Sequence, residues 1–483
     1  MKHQQLTLMA LLSIVLGFVA CSRSRVAEPY RSVYHHTPAA NWMNDPNGMF
    51  YDETTQLWHL YYQHNPFGAT WGPMHWGHAT SADLLHWQEH PIVLYPDSIG
   101  TIFSGSCIID RENTAGFGEN AIVAVYTQSE VCGQHQSIAY STDGGYTFTK
   151  YEGNPVLKGD VPDFRDPKIS RDGDHWLMTL ACGQEIRFYA SENLKDWTYL
   201  SSFGEGYGAH GGVWECPELL CFDNTKMSKP EASEQETAEP KWVLLVSINP
   251  GGPFGGSATQ YFVGDWDGKT FTCIDAPDAQ KWLDYGRDNY STFTFHNAPD
   301  NRFVAMGWMS NWQYAQVLPT EPFRSQNTVA RDFSLFVDDE GQYRLASVPS
   351  VETQALRGQV TEKLSDAAVV ELELDGKQDA LITLANDKGE KVVMTLDVHR
   401  QTFSMDRTAS GDCSFSHDFA SHTVAPLFIK RDCYHVTLFI DHCSIEAFDK
   451  EGAWSMTNLV FPSQPYNHIS VEGGKVTIYD IKK

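Results

Sequence analysis

Five short apolar runs of strand character recur about every 60 residues along the first two-thirds of the chain, a period that points to a repeat architecture rather than one continuous sheet. They occupy residues 58–62, 122–126, 175–179, 242–246 and 302–306. After three of them comes a polar turn that closes on an aromatic, at residues 81–87, 141–148 and 191–197. A strand, a polar turn and a closing aromatic at this period describe one blade of a β-propeller. Five copies predict a five-bladed β-propeller over residues 30–340. Its innermost strands would aim side chains into one funnel, where residues far apart in sequence meet.

From about residue 348 the pattern changes to period-two alternation, at residues 370–374, 393–397, 435–440 and 476–479, with turns at Asp375-Gly376 and Gly473-Gly474. Alternation of this kind predicts an antiparallel β-sandwich, here over residues 345–483. The fold class expected is therefore all-β in two domains, which suits a length of 483 residues, more than one hydrophobic core usually serves. No long amphipathic helix is evident. The stretch 223–240, rich in Lys, Glu, Ser and Thr, reads as a solvated hairpin insertion.

Lys2 is followed by an apolar run over residues 6–20, too short to span a bilayer, so residues 1–20 read as a signal peptide. Phe18-Val19-Ala20-Cys21 resembles a bacterial lipoprotein cleavage box, in which the Cys21 thiol is lipidated. The chain is thus expected to be exported and anchored through Cys21, at the periplasmic or cell-surface side of a membrane. A net charge of −26 repels nucleic acid and anionic headgroups and favours a neutral or cationic partner. The 10 cysteines contain no CxxC pair, and His75, His78 and His86 are irregularly spaced, so no metal site is expected. Aromatic residues reach 13%, with 14 Trp and 21 Tyr, a supply of flat rings suited to sugar faces or to many short strands.

Three carboxylate clusters stand beside prolines at the starts of apolar stretches in three different repeats: Trp42-Met43-Asn44-Asp45-Pro46-Asn47-Gly48, Phe164-Arg165-Asp166-Pro167 and Trp214-Glu215-Cys216-Pro217. Taken singly each is an ordinary turn. Three in three different repeats of one propeller would converge, which makes a functional cluster the better reading.

On these motifs the chain resembles glycoside hydrolase family 32, the invertase, inulinase and levanase family. Further matches are Tyr62-Gln63-His64-Asn65-Pro66, Phe103-Ser104-Gly105-Ser106 and Gly307-Trp308-Met309-Ser310-Asn311-Trp312. The resemblance implies a five-bladed propeller with a C-terminal β-sandwich, no cofactor, and a fructan, fructo-oligosaccharide or sucrose substrate. Carried over by position, it implies Asp45 as nucleophile at the anomeric C2 of fructose, Glu215 as acid/base and Asp166 as transition-state stabiliser. Arg165 would pair with nearby carboxylate charge, and Asn44, Gln63, Trp71, Phe103, Ser104 and Trp312 would hold the sugar. Retaining glycosidases keep their two carboxyl groups about 5–5.5 Å apart, one ionised and one protonated. Crowding by Asp45 and Asp166, with an apolar wall such as Trp214, is expected to keep the proton on Glu215. Two readings compete with an exo-acting fructosidase: an endo-acting levanase or inulinase, and a non-catalytic fructan-binding propeller. One departure from the family pattern is expected to bear on subsite shape: Pro322-Phe323-Arg324 and Ala330-Arg331-Asp332-Phe333 replace its usual residues.

Overall fold

The computed structural model describes residues 28–131, 133–223 and 239–482. The signal segment, Cys21 and most of the 223–240 insertion lie outside the described residues.

Five antiparallel sheets follow one another along the chain. Their first strands are Asn41–Asp52, Thr101–Asp110, Phe164–Asp172, Val213–Phe222 and Tyr290–Thr294. Each of these touches the next, and the fifth touches the first, so the ring closes around an axis lined by first strands. The apolar runs seen in the sequence are the second strand of every sheet: Leu57–Asn65, Ala121–Glu130, His175–Cys182, Lys241–Asn249 and Phe303–Met309. These strands are buried on both faces because neighbouring sheets pack face to face. One apolar cluster joins Phe50, Tyr61 and Trp76 of the first sheet to Ile102, Ile122 and Tyr126 of the second. Another joins Trp42, Trp58 and Leu60 to Tyr290, Val304 and Trp308 of the fifth. Side chains with water on neither side need not alternate, and a continuous apolar run results.

The polar turns connect third to fourth strands and are fixed by one side chain each. Asp83 Oδ1 accepts the amides of Leu85 (3.0 Å) and His86 (2.8 Å), and Asn193 Oδ1 accepts those of Lys195 and Asp196, both at 2.9 Å. Asp143 does the same for Tyr146 and Thr147. The residue after each of these acids or amides turns left-handed, Leu84 and Leu194 at φ 62° and Gly144 at φ 80°. A side chain that hydrogen-bonds its own following backbone makes this reversal.

The fifth sheet ends with Tyr343–Pro349, which pairs with Arg331–Val337, so the sheets run further than the 340–345 break expected from the pattern. A short strand from the same stretch, Phe323–Arg324, lies parallel to Asn41 and Trp42 and ties the end of the ring to its beginning. Beyond it a six-stranded and a five-stranded sheet stack as a sandwich. Their inner faces carry Val370, Leu372, Leu374, Ile382, Leu384, Met394, Leu396, Phe403, Val436 and Leu438, every second residue along each strand.

Buried charge joins the sandwich to the ring. Arg331, 0% exposed, reaches Asp284 Oδ2 at 2.9 Å and, across the junction, Glu446 Oε2 at 2.7 Å and Thr457 Oγ1 at 2.6 Å. His35 lies between Asp441 (2.8 Å) and Glu446 (2.9 Å). Burial alone would lower the pKa of this imidazole, but its two carboxylate partners outweigh burial and push it up to about 9. The departures at Arg331 and Asp332 therefore do not shape a sugar subsite, as the sequence pattern suggested: Arg331 belongs to the domain junction, and Asp332 pairs with Arg302 at 3.3 Å. Arg331→Ala leaves buried Asp284 without its cation and Glu446 with His35 alone, an effect of about 3–5 kcal/mol. A clear drop in the urea midpoint is expected, and an unmoved midpoint would contradict the role.

Candidate active site

Regular pleating cannot put successive functional groups on one side of a strand, and at the axis it is interrupted. Pairing between first and second strands slips between Met43 and Pro46, between Ile102 and Gly105, between Arg165 and Lys168, between Glu215 and Glu218, and between Tyr290 and Phe293. Each of these five slips brackets a polar or reactive side chain, Asp45, Ser104, Asp166, Cys216 and Ser291, and a further slip in the first sheet lies between Asn47 and Phe50. Three of these residues, Asp166 (φ 64°), Cys216 (φ 51°) and Ser291 (φ 50°), are left-handed, an unfavourable backbone for side chains with a Cβ. Bulges re-aim side chains, and strain of this kind collects where geometry serves something other than stability.

The three carboxylates foreseen from the motifs are brought together. Asp45 and Asp166 are buried, and Glu215 is partly exposed. Ser104 Oγ donates to Asp45 Oδ2 at 2.7 Å, whereas Asp45 Oδ1 is buried with no hydrogen-bond partner in the protein. The Cys216 thiol lies 3.7 Å from Asp45 Oδ2 and 3.6 Å from Asp166 Oδ2, and its backbone amide donates to the latter at 3.1 Å. Ser291 Oγ reaches Cys216 Sγ at 3.1 Å. One thiol thus sits between two carboxylates.

Glu215 is held by two donors. Arg165 gives its Oε1 two hydrogen bonds, from Nε at 3.1 Å and Nη2 at 2.8 Å, and the Tyr290 hydroxyl donates to Oε2. Arg165 is itself fixed by Asp163 at 2.5 Å and Gln134 at 3.2 Å, and its Nε lies 3.9 Å from Asp166 Oδ2. Trp214 is not the apolar wall expected over Glu215. Neighbouring strand residues face opposite ways, and the Trp214 ring turns into the interior against Phe262 and His210. Arg165 and Tyr290 occupy the place assigned to it.

Charge crowding perturbs the site. Burial raises the pKa of Asp45, against the hydrogen bond from Ser104. Burial also raises that of Asp166, aided by the charges of Glu215 and Asp45 and opposed by Arg165. The Cys216 thiol and the Tyr290 hydroxyl are both pushed well up, first by burial and then by the surrounding carboxylates, so each stays a neutral donor. One guanidinium faces three carboxylates. Like charges so close oppose complete ionisation, and the cluster as a whole retains a proton more readily than isolated acids do.

The residues expected to hold sugar surround this cluster. Gln63 lies opposite the Asn44-Asp45 bulge, between the pairs Met43–His64 and Pro46–Tyr62, and its buried Nε2 has no protein partner. Asn44 Oδ1 accepts Trp42 Nε1 at 2.7 Å. Trp312 stacks on Trp42, centroids 5.8 Å apart, and tilts against Trp308 at 4.8 Å. Trp71 is 44% exposed and meets Phe103 edge to face at 5.7 Å, which sets it at a rim rather than in a core. Tyr290 and Ser291 were missed. Their signal was positional, since the other four first strands each carry site residues near their start and the fifth starts at Tyr290.

Comparison with known proteins agrees with the geometry. The family description "Glycosyl hydrolases family 32 N-terminal domain" matches residues 35–349, and "Glycosyl hydrolases family 32 C terminal" matches residues 340–482. A levanase of Bacillus subtilis is 39% identical over 524 aligned positions, covering 100% of this chain and 76% of the relative. An extracellular exo-inulinase of Aspergillus awamori is 34% identical, covering 94% of both chains. The crystal structure of exo-inulinase from that fungus superposes with a TM-score of 0.85, at 33% identity over 94% of this chain and 99% of the other. A fructofuranosidase from Schwanniomyces occidentalis complexed with fructosylnystose gives a TM-score of 0.84 at 32% identity, over 94% and 98% of the two chains.

Proposed function

The chain belongs to glycosyl hydrolases family 32, and from that membership we propose a retaining, exo-acting β-fructosidase in which Asp45 is the nucleophile and Glu215 the acid/base. It hydrolyses β-fructofuranosyl linkages of fructans and of sucrose, as its levanase, inulinase and fructofuranosidase relatives indicate. The observation that carries the catalytic assignment is the unequal treatment of the carboxylates. Asp45 has one oxygen held by Ser104 and one without a partner, whereas both oxygens of Glu215 are gripped by donors.

In the first half-reaction the free oxygen of Asp45 bonds to C2 of the terminal fructosyl unit as the bond from C2 to the glycosidic oxygen breaks. Glu215 supplies the proton that oxygen needs to depart. In the second half water attacks C2, Glu215 takes its proton, and Asp45 leaves as a carboxylate. Asp166 accepts hydrogen bonds from fructose hydroxyls that become more acidic as positive charge builds on the ring, so its contribution grows towards the transition state. Arg165 and Tyr290 keep Glu215 from swinging away, the positioning that a residue acting twice on opposite proton transfers requires.

C2 is inverted twice, so β-fructofuranose is released. Exo action is supported by the Trp71–Phe103 edge-to-face pair next to Ser104, a rim that would narrow the mouth of the site to a single chain end. Export is supported by the extracellular relative, and anchoring at Cys21 by the lipoprotein-like box. Early NMR spectra of a levan digest are expected to show the β anomer before mutarotation, with fructose dominating the products at low conversion. The α anomer first would overturn Asp45 as nucleophile. A ladder of oligosaccharides would replace exo by endo action, and no sugar release at all would leave only a fructan-binding propeller.

A further inference from the structure

Four aromatic side chains among the described residues stand largely in water: Phe67 (76% exposed), Tyr95 (54%), Tyr199 (53%) and Trp71 (44%). Three of the four lie on loops at the carboxylate end of the first two sheets. The loop carrying Phe67 and Trp71 is bonded to the start of the first strand, Asn41 Nδ2 to Pro66 O at 2.7 Å and Trp42 N to Gly68 O at 3.0 Å, just ahead of Asp45. The loop after Tyr95 runs directly into Thr101–Asp110, which bears Phe103 and Ser104. Ile102 N donates to Met74 O at 3.1 Å and joins the two loops.

Phe67 and Tyr95 are held by one buried ring. The His75 imidazole, 4% exposed, meets Phe67 at 5.7 Å and 74° and Tyr95 at 5.6 Å and 85°, so both exposed rings stand edge-on to it. The backbone beneath is pinned as well. Asn65 Nδ2 donates to Thr70 O (2.8 Å) and Gly72 O (2.6 Å), and Lys150 Nζ to Tyr95 O (2.5 Å) and Asp97 (2.6 Å). Rings fixed in orientation while left in water are arranged as a binding surface is, since little conformational entropy remains to be lost on contact.

We infer that Phe67 and Tyr95, propped by His75, form a ledge outside the Trp71–Phe103 rim that holds the part of a fructan chain remaining outside the catalytic pocket. The inference rests on the fructosidase reading and extends it, making long fructans rather than sucrose the preferred substrates. An uncharged saccharide fits because the ledge offers ring faces to sugar C–H groups, and because its loops are tied to the strands bearing Asp45 and Ser104, beside which the rest of a chain bound by its end would lie. Sucrose is too short to gain from it.

The test compares kcat/KM on levan, on inulin and on sucrose for the full chain and for the double variant Phe67→Ala/Tyr95→Ala. Loss of two stacking faces is expected to lower the value on at least one polymer by about tenfold, with sucrose changed less than about twofold. Phe67→Leu, which keeps an apolar side chain but no ring face, is expected to share the polymer-specific loss. Equal loss on all three substrates, or no loss on any, overturns the ledge. Absence of fructose release by the unaltered enzyme from all three would instead refute the fructosidase reading.

Discussion

Asp45→Ala is expected to lower kcat for fructose release by at least ~10⁴-fold, because it removes the atom that forms the covalent bond rather than one that tunes it. The fold is expected to survive. Burial raises the pKa of Asp45, so the folded state binds a proton there more readily than the unfolded chain does. A carboxylate shifted in that direction favours the folded state least once pH has risen above its folded pKa, where it is ionised in both states. At neutral pH its removal relieves a buried charge, and the thermal midpoint should stay level or rise, the usual relation between a reactive site and the stability it costs. Ser104 loses its acceptor, a small offsetting penalty. Turnover and thermal midpoint measured on one preparation separate lost chemistry from lost structure. Retention of more than a tenth of kcat, with substrate still bound, would remove Asp45 from the nucleophile's role.

What could be read from the sequence follows from where each strand lies. Second strands such as Leu57–Asn65 and Ala121–Glu130 are sandwiched between sheets, and their uninterrupted apolar character makes them visible one at a time. First strands are harder to see. They carry polar groups towards the axis, lose register at every site residue and turn left-handed at Asp166, Cys216 and Ser291, which destroys the alternation a strand is recognised by. Outer strands shrink to Thr149–Lys150 or Phe271–Cys273, too short for any periodicity. The carboxylates were legible because Asp45, Asp166 and Glu215 each sit in a distinctive local motif. Tyr290 sits in no such motif, and only its contact with Glu215 gives it a role. The reading of Trp214 erred by treating sequence neighbours as spatial neighbours, which a pleated strand forbids. Arg331 erred the other way: its partners Asp284 and Glu446 are 47 and 115 residues distant in sequence, and no local pattern announces such a network.

Glu215→Ala is expected to split substrates by leaving group. On levan or sucrose, where the departing alkoxide needs a proton, kcat should fall by ~10²–10⁴. On an activated aryl fructoside the first step needs little protonation, so Asp45 still displaces the aryloxide from C2 and the fructosyl-enzyme accumulates, because no base remains to activate water. Azide should then restore turnover. It is an anion that needs no general base, the shortened side chain leaves room for it, and Arg165, relieved of its two hydrogen bonds to Glu215 while still held by Asp163, presents free N–H donors on that side. The Tyr290 hydroxyl loses the same acceptor and adds a donor. Attack from there inverts C2 a second time, and the product should be β-fructosyl azide, identified by NMR. The unaltered enzyme, whose Glu215 carboxylate would repel azide, should show no such acceleration. If the variant loses activity equally on levan and on the aryl fructoside, and azide neither speeds it nor appears in the product, then Glu215 serves the site as a partner for Arg165 and Tyr290 and the acid/base must be sought elsewhere in the cluster.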